Sequence, residues 1–563
     1  MSTMAERSAA RKRAKLEQQA LDWADDRLGS SKWLRSALDK IFPDHWSFMV
    51  GEIAMYCFVI LLATGIYLAL FYNASSAVVV YHGPYKALDG QSMTEAYASV
   101  INISFSVRAG LVMRQAHHWA ALIFMAAITF HMGRIFFTGA FRRPREINWI
   151  IGVTLLLVSM LEGFSGYSLP DDLLSGSGLR VVFSIIQSIP LIGPWLAFNL
   201  WGGAFPGSGA FFERLFLIHE FLFPLLLAGL LGGHLAILWH QKHTDFAGPG
   251  KTEHNIVGSR LWPQYTIKST ALLTFVAAVI FGLGGLVQIN PIWVFGPYEA
   301  ARSSAGTQPD WYVGWLDGAM RLWPHWEFRS FGHEIANPFF PGILLPGIVF
   351  TFIYAWPWLD KRLYADYGEH NLLDRPRDKP LRTALGVAAL FFFVDLTLAS
   401  ATDVIGNGLQ ISFERLIEIL QYGSFIGPIV GGLVAYRVCI LLQGGKVHPI
   451  QRPVGGIITR DARGAYHTLG ADHGGNGHGG NGHGGNGHGG NGHGGNGHDG
   501  NGHDGHGEDE PLERVAVGHG DPGGGNGASA ALGGDGLGSP GTFGTGTLGE
   551  ATSGGGGDPA PAE

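Results

Sequence analysis

The apolar positions of the chain fall into eight long runs that are separated by more polar stretches. Each run is close to or longer than the ~20 residues that one helix needs to cross a lipid bilayer. The pattern therefore predicts an all-α integral membrane protein with eight transmembrane helices. The predicted runs are 47–72, 116–138, 147–168, 214–240, 266–288, 341–359, 383–400 and 416–442.

The basic residues predict the orientation of these helices, because Lys and Arg that flank short loops resist translocation. They cluster before the first run and in the second, fourth and sixth connections. We therefore expect a multi-pass protein of the cell membrane with both termini in the cytoplasm and the loop 289–340 outside. No cleavable signal is expected, since the basic leader lacks an immediate apolar core. The basic residues concerned are Arg7, Arg11, Lys12, Arg13, Lys15, Arg142, Arg143, Arg145, Lys242, Lys251, Arg260, Lys361, Arg362, Arg375, Arg377 and Lys379.

Four histidines lie inside two of the predicted helices. His117 and His131 are 14 positions apart, and His219 and His234 are 15 apart. At ~1.5 Å rise per residue, the members of each pair are separated by roughly 21 Å along the helix. Both helices cross in the same direction, so His117 and His219 share an outer depth and His131 and His234 an inner one. The pattern predicts two haem b groups, each held non-covalently with both axial positions of its iron filled by histidine.

Glycines on the two neighbouring helices repeat this interval. Gly51 and Gly65 lie 14 positions apart in the first run, and Gly152 and Gly166 lie 14 apart in the third. Because a flat cofactor needs helix surfaces without side chains, we interpret all four as haem contacts in a dihaem four-helix bundle. The alternative is ordinary helix packing, for which glycine is common in membranes.

Polar residues beside the histidines complete the predicted haem sites. Arg114 and Arg134 lie about one turn from His117 and His131, where they could neutralise haem propionates. Their alternative role is to extend towards the membrane interface. His118 competes with its neighbour as a ligand, but its spacing of 13 to His131 places it on a different helix face.

Three other interpretations of the histidines stay open. A lone intramembrane histidine often serves helix packing or proton transfer, so a proton-relaying transporter is one alternative, although it would show broken helices or repeats. A second is the b-type anchor of a dehydrogenase, and a structural scaffold is the third. Only Cys57 and Cys439 occur, which excludes a disulfide framework, an iron–sulfur ligand set and a Cys-x-x-Cys-His haem attachment.

Composition divides the chain into four parts. A basic cytoplasmic extension covers 1–40, the dihaem bundle 41–245, and the C-terminal four-helix region 246–445. Residues 446–563 form a cytoplasmic extension that is rich in Gly and His from about 470, and we expect it to be disordered because it cannot bury a core. Its eight histidines between 473 and 506 leave weak binding of divalent metal open. The net charge of −7 carries little information across a membrane; lipid is an expected partner and nucleic acid is not.

Over about 41–440 the chain resembles the cytochrome b subunit of cytochrome bc1 complexes, the quinol–cytochrome c reductases. The resemblance rests on the histidine and glycine pairs, the run GYSLPDD after the third helix, and SIPLIG followed by WGG before the fourth. The family's Pro-Glu-Trp-Tyr signature occurs here as Pro309, Asp310, Trp311 and Tyr312. The spacing of 15 is that of the b6-type branch, yet all eight helices occur in one chain.

The aspartate in this signature, the basic leader and the long tail resemble the actinobacterial form of the family. That resemblance implies menaquinol as electron donor, and bifurcated oxidation that sends one electron to a Rieske iron–sulfur subunit. The other electron would cross through the two haems to an inner quinone site, contributing to the proton-motive force. It further implies a dihaem cytochrome c subunit, an aa3-type oxidase supercomplex and a homodimer.

The same resemblance places the quinol-oxidation site between Pro309–Tyr312, which includes Trp311, and the amphipathic stretch 178–193, with Gly178 in the pocket wall. Asp310 is the candidate acceptor of a quinol proton; its alternative role is to cap the loop. Tyr312 would bind quinol or gate the haem edge, or else lie at the membrane interface as an ordinary aromatic.

At the inner quinone site the candidates are His240, His243, Asp245 and Lys268. Polar residues are expected at a membrane boundary in any case, so each is open to that simpler interpretation. The family usually has Lys-Asp at the start of the fifth helix, whereas here Ser269 follows Lys268. The usual carboxylate is therefore missing from this position, and the source of the proton is left open.

Overall fold

The computed structural model describes residues 4–203, 205–207, 209–302, 308–330, 332–444, 457–460 and 466–469. The predicted Gly/His-rich tail from about 470 lies outside the described residues, as does most of the extension that begins at 446. The side chains of Arg7, Arg11, Lys12 and Arg13 also lie outside them.

Within these described residues, eight helices are long and apolar enough to cross a membrane, which confirms the predicted all-α membrane architecture. We number them spans 1 to 8. Span 2 begins six residues before its predicted start because polar Gln115 is accommodated there: its side chain exchanges hydrogen bonds of 2.8 and 2.7 Å with the backbone of Ile289. The spans are Trp46–Ala69, Gly110–Thr138, Glu146–Ser168, Phe211–Gln241, Leu261–Leu286, Phe340–Tyr364, Pro380–Ser400 and Phe413–Leu442.

Shorter elements flank the spans. The helices outside them are Met4–Leu28, Ser30–Leu38, Lys86–Leu88, Glu95–Phe105, Leu173–Gln187, Gly193–Trp201, Ile292–Phe295, Trp311–Leu322, Pro376–Asp378 and Thr402–Leu409. In the described part of the chain, four strand pairs are antiparallel: Ile41–Phe42 with Ser259–Arg260, Val78–Val80 with Ser92–Thr94, Phe328–Ser330 with His333–Ile335, and Ile457–Arg460 with Tyr466–Leu469. Asp245–Phe246 pairs in parallel with Leu372–Leu373.

Spans 1 to 4 form a ring in which each packs against the next and span 4 returns to span 1. Span 5 packs against spans 1 and 2, where Cys57, Ala116 and Ile280 are fully buried. Gly284 permits this approach, since a Cβ atom there would lie 2.8 Å from the backbone nitrogen of Ala116. Span 6 packs on span 3, and spans 7 and 8 pack together. The helix Trp311–Leu322 lies along span 7 and also contacts span 2.

A buried ion-pair cluster joins spans 6 and 7 at their shared end. The guanidinium of Arg382 donates two hydrogen bonds to Asp360, of 2.8 and 2.7 Å, and a third of 2.7 Å to Asp374. Arg142, beyond span 2, also contacts Asp374 at 3.2 Å. Such bidentate pairing is geometrically specific, so the cluster fixes the loop after span 6 against the first half of the molecule.

Span 4 contains a π-helical segment, Ile218–Leu222, that carries His219. A π turn holds one residue more than an α turn. The interval from His219 to His234 is one position longer than the interval from His117 to His131 in span 2. Because of the π turn, both intervals cover the same number of helical turns. Pro224 follows the segment and cannot donate a hydrogen bond to the preceding turn, which gives the local widening a physical cause.

Candidate functional site

The four predicted histidines meet in two pairs between spans 2 and 4. The ring centres of His117 and His219 are 6.4 Å apart, with an angle of 75° between their planes. Those of His131 and His234 are 6.5 Å apart, with an angle of 74°. Imidazole nitrogens bind metal ions at ~2.0–2.1 Å, so a metal ion between two opposed rings would hold their centres roughly 6 Å apart. Both pairs have this separation.

The neighbours of the outer pair determine which ring nitrogen is free. The hydroxyl of Thr64 donates to the carbonyl of Ile60 at 2.7 Å, so it accepts the Nδ1–H of His117 at 2.9 Å. In the same way, Ser165 donates to the carbonyl of Glu162 at 2.8 Å and lies 3.2 Å from Nδ1 of His219. Hydrogen bonds of this kind orient metal-binding histidines. They leave Nε2 of each ring unprotonated and able to bind a metal.

Each of the four predicted glycines faces one histidine ring. A Cβ atom on Gly166 would overlap the ring of His219, 2.8 Å from its Nε2, and one on Gly65 would lie 3.3 Å from Cε1 of His117. At the inner end, the distances to Cε1 are 3.1 Å from Gly51 to His131 and 3.8 Å from Gly152 to His234. The one-to-one match explains the interval that glycines and histidines share: a side chain at most of these positions would crowd a ring.

Both histidine pairs open into cavities. The inner cavity, of about 420 Å³, is lined by Gly51, His131, Arg134, Gly152 and His234. The outer cavity, of about 210 Å³, is lined by the corresponding residues Gly65, Arg114, His117, Gly166 and His219, and by Asp310 and Tyr312.

Neither predicted arginine forms an ion pair with a carboxylate in the part of the chain that the structure describes. In Arg134, Nε and Nη2 are buried without a hydrogen-bond partner among the described residues, and the group lies over the Phe48 ring at 4.2 Å. The Nε of Arg114 is likewise buried without a partner, while its terminal nitrogens lie 3.4 Å from the carbonyl of Asn290. Unpaired buried cations are costly, so both positions suit the carboxylates of a bound group. Opposed imidazoles, bare helix surfaces and unpaired arginines together fit haem.

Asp310 contacts a residue of span 2 that sequence reasoning had considered only as an iron ligand. Nε2 of His118 lies 2.9 Å from Oδ1 of Asp310, and the hydroxyl of Tyr312 donates to Oδ2 at 3.2 Å. Asp310 is at the N-cap position of the helix Trp311–Leu322, but its side chain makes no capping hydrogen bond. Tyr312 is buried, with only 4% of its surface exposed. Both side chains are therefore directed into the outer cavity rather than into a loop cap or the membrane interface.

The other residues predicted for the outer quinol site lie near this cavity without lining it. Among the described residues, Gly178, Pro309 and Trp311 are not part of its wall. Gly178 lies on the helix Leu173–Gln187, where a Cβ atom would meet Phe164 and Tyr167 at 3.8 Å. Trp311 is 43% exposed.

Sequence reasoning missed two acids in the outer cavity. Glu162 lies in its wall, with its carboxylate 3.2 Å from Nδ1 of His219, and Glu220 lines the same cavity. Both are ionisable residues inside predicted apolar runs. Charged residues inside a membrane are expensive and usually functional, so their position within spans 3 and 4 was the signal that could have identified them.

The inner cavity extends beyond its histidine pair to His243, Tyr265 and Ser269. Burial, with added repulsion from Lys40, Arg134 and Arg145, lowers the pKa of His243 to about 4, so its imidazole is neutral at physiological pH. The structure thus brings one predicted inner-site residue, His243, into the cavity wall.

The remaining predicted inner-site residues lie elsewhere. Among the described residues, His240, Asp245 and Lys268 do not line the inner cavity. His240 is exposed. Lys268 is half-exposed and pairs with Asp44 at 2.7 Å, while Asp245 is buried and binds Lys251 at 2.7 Å. A carboxylate that sequence reasoning missed, Glu52, lies in the wall instead.

Comparisons with known proteins identify the family of this chain. Residues 122–297 match the family model described as cytochrome b(N-terminal)/b6/petB. The cytochrome bc1 complex cytochrome b subunit of Mycobacterium tuberculosis is 49% identical over 456 residues, which cover 81% of this chain and 82% of that protein. The subunit of the same name from Streptomyces coelicolor is 46% identical over 444 residues, covering 79% and 81%.

A solved structure shares the fold. A chain of a hyperthermophilic respiratory complex III aligns with a TM-score of 0.56 at 21% identity, covering 74% of this chain and 99% of that one. At this identity the likeness concerns the fold alone, whereas the sequence relatives are close and match over most of their length. The protein described here belongs to the family of cytochrome b subunits of cytochrome bc1 complexes.

Proposed function

We propose that this chain binds two haem b groups and is the catalytic membrane subunit of a menaquinol–cytochrome c oxidoreductase. Membership of the family makes it a haem b protein and a subunit of a quinol–cytochrome c reductase. In the proposal, His117 and His219 hold the outer haem iron, and His131 and His234 the inner one. When bound, the two haems supply one-electron transfer between the two faces of the membrane. The observation that carries the proposal is the presence of two opposed histidine pairs, 6.4 and 6.5 Å apart between ring centres.

The role of the outer cavity follows from its polar groups. A quinol that enters this cavity would meet Asp310. Among the described residues, Asp310 and Tyr312 are the two members of the Pro-Asp-Trp-Tyr run that line the wall. We assign Asp310 the role of accepting a hydroxyl proton from the quinol. His118 and Tyr312 contact its two carboxylate oxygens at 2.9 and 3.2 Å and hold the group in position. Gly178, Pro309 and Trp311 remain proposed members of the pocket around them.

The fate of the two electrons distinguishes this reaction from a simple oxidation. One electron would pass to a Rieske iron–sulfur subunit, while the other would cross the membrane to a quinone at the inner cavity. Protons are then released on one side and taken up on the other, which contributes to the proton-motive force. His243 lines the inner cavity and is our candidate for a hydrogen bond to the quinone; His240 and Lys268 are proposed only as residues near its entrance.

The proposal extends to assembly and location. The domain division at 41–245 and 246–445 is supported by the closed ring of spans 1 to 4. The inner end, which carries Arg142, Arg145 and Arg382, is proposed to face the cytoplasm, because basic residues accumulate on that side. Both termini would then be cytoplasmic in a cell-membrane protein. A dihaem cytochrome c subunit, an aa3-type oxidase and a second copy of the complex are the proposed partners.

Purification of the complex through a tag on this chain tests the proposal. We expect a Rieske protein and a c-type cytochrome to co-purify, and the preparation to reduce cytochrome c with a menaquinol analogue. A dehydrogenase subunit in place of the Rieske protein would favour the anchor alternative. A colourless preparation would contradict the proposal and leave the transporter alternative.

A further inference from the structure

The inner cavity contains an intramembrane carboxylate that the proposed function does not yet use. Glu52 follows Gly51 in the first turns of span 1 and lies in the cavity wall. Its Oε2 accepts hydrogen bonds from the hydroxyls of Tyr56 at 3.1 Å and of Ser269 at 2.8 Å. Its Oε1 accepts one from the hydroxyl of Tyr265. Three hydroxyl groups from spans 1 and 5 therefore converge on one carboxylate.

The side-chain partners of Glu52 in the part of the chain that the structure describes are hydroxyl groups. Among the described residues, no Lys, Arg or His nitrogen lies within ion-pair distance of Glu52. The nearest lysine in sequence on span 5, Lys268, is paired with Asp44 instead. An adjacent cation would favour the ionised carboxylate, whereas hydroxyl groups both donate and accept hydrogen bonds. Glu52 is thus held by hydroxyl groups, which can relay protons between the carboxylate and the inner face.

The surroundings of Glu52 also fit a flat aromatic ligand. Phe42 stacks on Tyr265 with ring centres 4.3 Å apart and contacts the His243 ring at 4.7 Å. The three rings line the inner cavity with Glu52 and Ser269. An aromatic wall with a carboxyl group and a neutral imidazole offers stacking together with two hydrogen-bonding groups, which is what a quinone ring with its two carbonyl oxygens requires.

We propose that Glu52 is the proton donor to the quinone at the inner site, where its carboxylate, supplied by span 1, lies beside Ser269 of span 5. This inference rests on the proposed function, since it requires quinone reduction at the inner cavity. Ser269 lacks a carboxyl group of its own but contacts one at 2.8 Å. A carboxyl group is therefore present at the start of span 5, although it comes from a different helix.

Quinone reduction at this site consumes two electrons and two protons, and each carbonyl oxygen becomes a hydroxyl. The two electrons come from two quinol molecules oxidised in turn at the outer site, since each quinol sends only one of its electrons to the inner site. One proton leaves the carboxyl O–H bond of Glu52 for a carbonyl oxygen, and the resulting carboxylate regains a proton from water at the inner face through the Tyr265 and Ser269 hydroxyls. The second proton comes directly from water at that face.

The substitution Glu52→Gln in the intact complex tests the proposal, because glutamine keeps the size and the acceptor oxygen but cannot release a proton. Glu146→Gln is the matched control: Glu146 is also the acid in the first turn of a span that starts at the inner end, yet among the described residues it does not line the cavity. We expect Glu52→Gln to slow electron transfer to the inner quinone by ~100-fold, with both haems retained. Glu146→Gln should match the wild type.

An infrared difference spectrum of quinone reduction supplies a readout that does not depend on turnover. In a time-resolved measurement of the wild-type complex, a protonated-carboxyl band should be lost as the quinone is reduced and should return as the carboxylate regains its proton. This band should be absent in Glu52→Gln, unchanged in Glu146→Gln and shifted in Glu52→Asp. A wild-type spectrum without such a band, or a Glu52→Gln variant with wild-type rates, would overturn the proposal whether or not other variants assemble. Loss of haem b from the wild-type protein would instead refute the proposed function, so the two failures are distinguishable.

Discussion

Nε2 of His118 lies 2.9 Å from Oδ1 of Asp310, and both side chains are mostly buried. This contact joins span 2 to the start of the helix Trp311–Leu322 at the outer cavity. His117 and His118 are adjacent in sequence but face different partners. His117 faces His219, whereas His118 contacts the carboxylate of Asp310. The proposed proton acceptor is therefore positioned by the residue next to a proposed iron ligand.

Removal of the acid at this contact should impair quinol oxidation selectively. Asp310→Asn keeps the shape and the hydrogen bond from Tyr312 but weakens the proton acceptor. We expect the rate of quinol oxidation to fall by ~100-fold, while both haems remain reducible from the inner side. Stopped-flow measurement of haem reduction by quinol, with the inner site inhibited, tests this. An unchanged rate across the pH range would remove Asp310 from the mechanism.

The four glycines should differ in their tolerance of a methyl group. Gly166→Ala places a Cβ 2.8 Å from Nε2 of His219, whereas the nearest ring atom to a Cβ in Gly152→Ala is Cε1 of His234 at 3.8 Å. Overpacking costs ~1–3 kcal/mol, which is roughly 5- to 150-fold in haem affinity. Gly166→Ala should therefore lose most of the outer haem, and Gly152→Ala should keep the inner haem. Haem content and potentiometric titration measure both; equal retention would contradict the assigned roles.

Because span 4 contains a π-helical segment, the His219–His234 interval should tolerate the loss of one residue but not the gain of one. Deletion of Leu222 gives span 4 the same interval as span 2, which a regular α-helix accommodates, so both haems should be retained. Insertion of one alanine after Leu226 rotates one histidine by ~100° relative to the other, and one haem should be lost. The haem b content per chain of the two variants is the measurement, and two haems in the insertion variant would argue against the shared register.

Asp171, which lies in the loop after span 3, should make the folding stability of the protein depend on pH. Burial, with repulsion from Asp172, raises the pKa of Asp171 from 3.8 to about 7, although Thr94 donates a hydrogen bond to it. The folded protein binds more protons than the unfolded chain between these values, so stability falls as pH rises through this window. Asp171→Asn removes the free-energy cost of ionising this buried carboxyl group. It should therefore raise the midpoint of thermal unfolding at pH 8 by at least ~2 °C.

The pH dependence of that gain distinguishes its cause. The difference between Asp171→Asn and wild type should narrow as the pH is lowered from 8 to 5, because the wild-type carboxyl then becomes protonated. The exposed acid Glu299 provides a control, since Glu299→Gln should leave the midpoint unchanged at every pH. A constant advantage for Asp171→Asn across this range would point to packing rather than to ionisation.

The architecture and the histidine pairs could be predicted from the sequence because they depend on periodicity. Apolar runs identify spans, and the regular intervals between histidines identify side chains that share a depth in the membrane. The reason why the interval in span 4 is longer by one position could not be predicted, since the π-helical segment at Ile218–Leu222 depends on local backbone geometry.

Contacts between segments that are distant in sequence could not be predicted from the sequence. Glu52 and Ser269 are separated by 217 positions, and nothing in either local pattern shows that their side chains meet. Lys268 was predicted for the inner site from its position at the start of span 5, but on a helix it faces a different direction from Ser269 and pairs with Asp44. Helix faces at a membrane boundary are weakly marked, because polar residues are expected there on every side.

One haem at each histidine pair is the basis of everything proposed for this chain. The most direct measurement is the reduced-minus-oxidised absorbance spectrum of the purified complex with quantification of haem b, for the wild type and for His131→Leu. We predict two haem b groups per chain in the wild type, and one in the variant, with only the inner signal lost. Retention of both signals in His131→Leu, or a wild-type chain with a single haem b, would contradict the assignment.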